Sequence, residues 1–209
     1  MAEKKQKSSL RENIEAVIIA VIIAMFIRTF IVQAFKIPSG SMLETLQIGD
    51  HILVNKFIYG IKIPFTDGSV LVSIKDPKKG DIVVFKYPED PSKDFIKRVI
   101  ATEGDTLEII NKKLYVNDKP VTGEQYAIHK SNKIYSAMVS SRDNLRKILV
   151  PENKLFVMGD NRDNSADSRF WGYVPLKNVF AAPLITYWSY DKKNHKIRWN
   201  KMFNILINK

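Results

Sequence analysis

The chain has 209 residues, 45% of them hydrophobic and 26% charged, which is the make-up of a folded domain and excludes a disordered or polytopic membrane chain. Its 33 Lys and Arg against 22 Asp and Glu leave a formal charge of +11, which suits an anionic partner such as acidic lipid or nucleic acid. The absence of cysteine excludes disulfide scaffolds, thiolate metal sites and cysteine nucleophiles, so chemistry must come from oxygen and nitrogen groups.

Lys4, Lys5, Lys7 and Arg11 precede an uncharged run from Ala16 to Ile27. As a helix that run rises about 18 Å against a hydrocarbon core of about 30 Å, so the helix is expected to continue to Phe35. A transmembrane anchor over 14–35 follows, with Arg28 snorkelling to the headgroups. The positive-inside rule then keeps residues 1–13 in the cytoplasm and carries 36–209 across the membrane. The rival is a cleaved secretory signal, for which Val32-Gln33-Ala34 offers the small residues of a cleavage site.

Beyond residue 36 short β-branched and aromatic runs alternate with turn residues, which predicts a mainly β domain. The expected strands are 52–58, 81–87, 95–101, 107–110, 113–117, 154–158, 184–190 and 196–199, with hairpin turns at Asn111-Lys112 and 191–194. Residues 60–80 and 123–153 are polar and weakly periodic, and read as loops or as part of a peripheral β extension covering about 106–153. The apolar tail, 202–207, reads as a last strand or core plug. The expected architecture is an antiparallel, barrel-like β domain with that extension and one N-terminal transmembrane helix. There is no phosphate loop, dinucleotide-binding glycine pattern, Cys/His metal spacing or nucleic-acid recognition element, so nucleotide, metal and nucleic-acid partners are not expected.

His51, His129 and His195 sit among polar or strand-like neighbours without a G-x-S-x-G elbow, and read as ordinary surface or strand residues. In Pro38-Ser39-Gly40-Ser41-Met42 a stiff, glycine-containing turn holds two hydroxyls. A serine nucleophile without a histidine needs another base, and a lysine made neutral by burial can serve. Lys97, within Phe95-Ile96-Lys97-Arg98-Val99-Ile100, stands in an apolar strand pattern and shares a face with Val99 if the strand alternates. The run from Gly159 to Gly172 is dense in hydrogen-bonding side chains yet framed by a strand and by Phe170-Trp171.

Together the serine turn, Gly49 to Phe57, Gly80 to Asp105 and Gly159 to Val174, in this order behind an apolar N-terminal segment, resemble the bacterial type I signal peptidases, Ser-Lys dyad proteases. The resemblance implies that Ser41 is the nucleophile and Lys97 the general base, with Ser165 orienting the lysine amine and Ser39 offering its hydroxyl to the oxyanion. It implies that Ile37, Met42, Leu46 and Ile96 line apolar pockets for small substrate residues. Arg98, Asp160, Asp167 and Arg169 would form structural ion pairs near the site. The substrates would be preprotein signal peptides at a lipid surface, cut by a monomer without cofactor or metal. The chain departs from the family's usual pattern at Glu44, where proline is common, and at Ala101 to Asp105, where Gly-Leu-Pro-Gly-Asp is common. A membrane-tethered β module that only binds lipid or peptide is the rival of another class.

Overall fold

In the computed structural model, which describes residues 9–62, 70–72 and 74–206, the chain begins with helix α1 (Ser9–Phe26), followed by a π-helical turn, Ile27–Ile31. Lys4, Lys5 and Lys7 lie outside the described residues. The 18 residues of α1 give a length of about 27 Å. Apolar side chains from Ile14 to Phe26 are exposed around it, but Arg11, Glu12 and Glu15 occupy its first turns. No helix among the described residues is long and apolar enough to cross a membrane.

The expected continuation of the helix to Phe35 is replaced by strand β1 (Val32–Lys36), which pairs antiparallel with β2 (Asp50–Asn55) from Val32↔Asn55 to Lys36↔His51. A run rich in Val, Ile and Phe suits either state, and here β2 supplies both the ladder and an apolar face for Phe35. A cut after Ala34 would strip Val32, Gln33 and Ala34 from this ladder, which disfavours the cleaved-signal alternative.

The remaining strands are β3 (Ile61–Lys62), β4 (Val70–Val72), β5 (Ile82–Tyr87), β6 (Asp90–Ala101), β7 (Thr106–Ile110), β8 (Lys113–Val116), β9 (Lys119–Pro120), β10 (Leu145–Leu149) and β11 (Lys154–Met158). After the single-turn helix α2 (Ser168–Trp171) come β12 (Val174–Pro175), β13 (Val179–Asp191), β14 (Lys196–Ile197) and β15 (Asn204–Ile205). Nine strands form one antiparallel sheet in the order β1-β2-β13-β5-β6-β11-β12, with β14 and β15 also on β13. β1 and β12 are its two ends, so the expected barrel is a sheet without a closing ladder among the described residues.

The expected extension is a second sheet, β10-β7-β8-β9. Its β7–β8 hairpin turns at Asn111 and Lys112, whose φ values of 49° and 70° are the left-handed pair that a two-residue hairpin requires. β10 occupies part of the stretch read as loop, while residues 63–69 and 73 lie outside the described residues. At 191–194 the Asp191 carboxylate accepts from the Lys193 and Asn194 N–H groups, making the other expected hairpin turn.

Among the described residues three apolar clusters form the core. One, under β1, β2 and β5, contains Ile37, Met42, Leu46, Ile52, Val54, Ile82 and Val84. A second joins Val83, Phe85, Val99, Leu155 and Val157, and the third holds the extension against Ile100 and Phe156. The tail both pairs as β15 with Ile185–Thr186 and inserts Leu206 into the first cluster, while Ile207 lies outside the described residues. Both departures from the family pattern still form turns: Leu46 N–H reaches Met42 O at 2.8 Å, and the Asp105 carboxylate accepts from Thr102 N–H at 2.9 Å.

Candidate active site

The β1–β2 connection, residues 37–49, carries the two serines at its tip. Its neck is closed by Ile37 N–H to Asp50 O (2.8 Å) and Gly49 N–H to Ile37 O (3.0 Å). Gly49 has φ 92°, and a Cβ there would lie 2.1 Å from Tyr190 O, so only glycine fits. Ile37, Met42 and Leu46 sink into the core beneath the tip, which holds Ser41 above an apolar floor.

Lys97 comes from β6. One edge of that strand is paired with β5 from Asp90 to Arg98, but β11 covers the other only from Arg98 to Ala101. The edge left open at 94–97 borders a cleft of about 460 Å³ lined by Ile37, Ser39, Ser41, Met42, Leu46, Ile96 and Lys97, among others. Strict alternation would put Ile96 and Lys97 on opposite faces; both line the cleft because it runs along this open edge.

The Lys97 side chain is only 4% exposed, and its Nζ lies 2.8 Å from Ser41 Oγ and 3.1 Å from Ile96 O. The Phe95 ring centroid is 5.3 Å away. Burial lowers the lysine pKa from 10.5 to about 8, against the carboxylates of Asp167 and Asp160, which favour the charged form. At pH 8 about half the molecules then carry a neutral amine able to accept the Ser41 proton, against about one in 300 for an unperturbed lysine. Glu44 is exposed and accepts from Gln47 Nε2, and it is not among the groups acting on Lys97.

The loop after β11 packs against the serine turn. Gly159 is tight: a Cβ would lie 2.3 Å from Ser165 Oγ and 2.4 Å from Ser41 O. Ser165 is buried, but its hydroxyl has no hydrogen-bond partner, so the expected bond to Lys97 is not made. Asn161 N–H donates to Ser41 O (3.0 Å) and Asn161 Nδ2 to Gly40 O (2.9 Å). Ser39 is exposed at the cleft lip.

The four expected ion-pair residues form two separate buried pairs. Arg98 grips Asp160 through Nε–Oδ1 (2.8 Å) and Nη2–Oδ2 (2.7 Å), with Nη1 on Gly80 O (2.8 Å) and Thr45 Oγ1 donating to Asp160 Oδ2 (2.5 Å). Arg169 grips Asp167 through two bonds of 2.8 Å. Asp167 also accepts from Gly159 N–H (3.0 Å) and caps α2 through Arg169 N–H. These pairs tie the serine turn, β6 and the 159–169 loop into one frame.

Sequence reasoning missed the outer half of that frame. Buried Arg162 bonds Glu124, Lys112 bridges Ser131 O and Asp163, and Ile128 pairs with Asn161. The extension is thus strapped to the back of the site by contacts between two polar stretches, and no local pattern announces which polar residues meet. His51, His129 and His195 do not line the cleft.

A serine hydroxyl bonded to a buried amine of lowered pKa is the arrangement by which a lysine base activates a serine for acyl transfer. The chain matches the signal peptidase family, peptidase S26, over residues 10–188, and it belongs to that family of peptidases. A signal peptidase I of Pseudomonas aeruginosa is 40% identical over 73% of this chain and 63% of its own length. One from Aquifex aeolicus is 34% identical over 86% and 85%. The chain thus spans somewhat less than two thirds of the Pseudomonas relative. A crystal structure of a signal peptidase I from Enterococcus faecalis V583 aligns with a TM-score of 0.42 and 29% identity, over 53% of this chain and 98% of that one.

Proposed function

We propose that this chain is a membrane-bound serine endopeptidase that removes N-terminal signal peptides from exported preproteins, cutting after small residues in Ala-X-Ala type sites. The observation that carries the reading is Lys97 Nζ at 2.8 Å from Ser41 Oγ in a buried, largely apolar setting. Neutral Lys97 takes the Ser41 proton as Oγ attacks the scissile carbonyl, and the Ser41 N–H and the Ser39 hydroxyl stabilise the oxyanion. The ammonium then gives its proton to the leaving amine as the C–N bond breaks. Water, deprotonated by Lys97, next cleaves the acyl-serine, and the proton returns to Ser41. Apart from that water, each step uses side-chain and backbone groups of the chain.

The open edge of β6 at 94–97 gives an extended substrate backbone a place to add as a strand. Ile96, Met42, Leu46 and Ile37 then face its side chains. Because the last three are also core residues, the pocket floor cannot recede, and small side chains are favoured.

The exposed apolar residues from Ala16 to Phe26 in α1, with Ile27 after it, are the part that enters lipid, as a single-pass anchor with residues 1–13 in the cytoplasm and the β domain, which begins with β1, on the far side of the cytoplasmic membrane. Anchoring would bring the site to substrates whose own apolar segments lie in the same bilayer.

The test incubates the full chain in detergent with a preprotein, beside its Ser41→Ala and Lys97→Ala forms. Both variants should fold and neither should cleave. Cleavage retained by either would overturn the Ser-Lys assignment, and a wild type that neither cleaves nor becomes acylated at Ser41 would favour the binding module.

A further inference from the structure

Asn161 holds the backbone of the serine turn at two successive carbonyls. Its Nδ2 donates to Gly40 O (2.9 Å) and its N–H to Ser41 O (3.0 Å). The only cis peptide among the described residues is Leu43–Glu44, so Gly40–Ser41 is trans. In a trans peptide the C=O and the following N–H share a plane and point in opposite directions. Whatever fixes Gly40 O therefore also fixes the direction of the Ser41 N–H, aiming it away from Asn161. Among the described residues nothing accepts from that N–H. Gly40 and Ser41 line the cleft, whereas Asn161 lies behind them in the core of the frame.

The Asn161 side chain carries a second mark of this task. It is buried, and its Oδ1 has no hydrogen-bond partner. The opposite amide orientation would set Oδ1 against Gly40 O, acceptor against acceptor, so the donor decides the orientation and the oxygen is left orphaned. A buried amide oxygen without a partner is destabilising, a cost that a residue serving only to fill space would avoid.

We propose that Asn161 is a positioning residue of the oxyanion site: by clamping the Gly40 and Ser41 carbonyls it aims the Ser41 N–H at the oxygen of the scissile bond. The proposal rests on Ser41 being the nucleophile. It assigns to Asn161 a contribution made in the transition state, where the oxygen becomes charged, and not in substrate binding.

The experiment compares the full chain in detergent with Asn161→Ala, which removes the side-chain bond to Gly40 O and leaves the backbone bond to Ser41 O, and Asn161→Asp, which keeps the volume but places an acceptor against Gly40 O. Each is assayed for cleavage, for affinity to a peptide aldehyde with Ala at its first and third positions, and for affinity to the corresponding peptide carboxamide. The aldehyde adds to Ser41 and places its oxygen in the oxyanion site; the carboxamide only occupies the cleft. In both variants kcat should fall about 10- to 1000-fold, reaching at most the loss that follows removal of one oxyanion donor, while KM stays within about 2-fold. Aldehyde affinity should fall with kcat, carboxamide affinity should hold, and the acidic limb of the pH profile should not move, because Lys97 is untouched.

Unchanged aldehyde affinity would overturn the proposal, as would parallel losses for aldehyde and carboxamide, or the failure of both variants to fold. Ser41→Ala separates the two levels. If it still cleaves, the proposed function has failed. If it is inactive while Asn161→Ala keeps full kcat and aldehyde affinity, only the role of Asn161 has failed.

Discussion

Lys97→Met should leave a protein that is inactive yet more stable than the wild type at neutral pH. Burial lowers the lysine pKa from 10.5 to about 8 in the folded chain. That shift corresponds to about 3 kcal/mol of preference for the neutral form. The folded pKa lies below the unfolded one, so between about pH 8 and 10.5 the unfolded chain binds more protons and stability rises with pH. Below pH 8 the full cost of a buried ammonium is present; above pH 10.5 it is gone. Linkage puts that cost at about 3 kcal/mol at pH 7 and about 2 kcal/mol at pH 9.

Methionine has a similar length and no charge to desolvate, but it gives up the bonds to Ser41 Oγ and Ile96 O, which offset the gain by about 1 kcal/mol each. The net advantage of the variant at pH 7 is therefore about 1 kcal/mol. The sharper quantity is its change with pH, because every other titrating group is common to both proteins. From pH 7 to pH 9 the difference in unfolding free energy between variant and wild type should shift by about 1 kcal/mol in favour of the wild type. Urea unfolding of both proteins in the same detergent at pH 7, 8 and 9 would measure it. A difference that stays flat across this range would refute a Lys97 pKa near 8.

Gly159→Ala should inactivate the enzyme and cost about 1 to 3 kcal/mol, since the added methyl would meet Ser165 Oγ at 2.3 Å and Ser41 O at 2.4 Å; thermal unfolding and cleavage assays check this. Asp160→Asn should destabilise by about 3 to 5 kcal/mol because it leaves Arg98 buried with a neutral partner, and a double variant, Arg98→Met with Asp160→Leu, should recover part of the loss in denaturant melts. Ser39→Ala should keep the melting temperature while kcat falls about 10- to 1000-fold, and an undiminished kcat would remove its hydroxyl from the oxyanion site.

The meeting of Ser41 with Lys97 was more legible in the sequence than its surroundings. Taken singly, a serine in a glycine-containing turn and a lysine in a strand are ordinary, and it is the order of the four motifs that links Ser41 with Lys97 across 56 positions. The strands around Lys97 and Phe156 were also readable, since their burial follows from short apolar runs. Val32–Phe35 was misread as helix because an apolar run broken only by Arg28, Thr29 and Gln33 does not reveal where its period changes; the partner β2 decides that, and it lies across a turn. The two ion pairs were visible as four residues but not as Arg98 with Asp160 and Arg169 with Asp167, because pairing depends on how β6 and the 159–169 loop meet. The role given to Asn161 depends on a hydrogen bond spanning 121 positions to a backbone carbonyl, which no residue pattern encodes.

The most direct test of a neutral Lys97 acting on Ser41 is the pH dependence of kcat/KM for cleavage of a peptide substrate by the full chain. The acidic limb should follow a single ionisation with a midpoint near 8, set by the buried amine, and it should vanish with activity in Lys97→Ala. A midpoint near 6.5, the ordinary range of a histidine, or measurable activity without the lysine would contradict it.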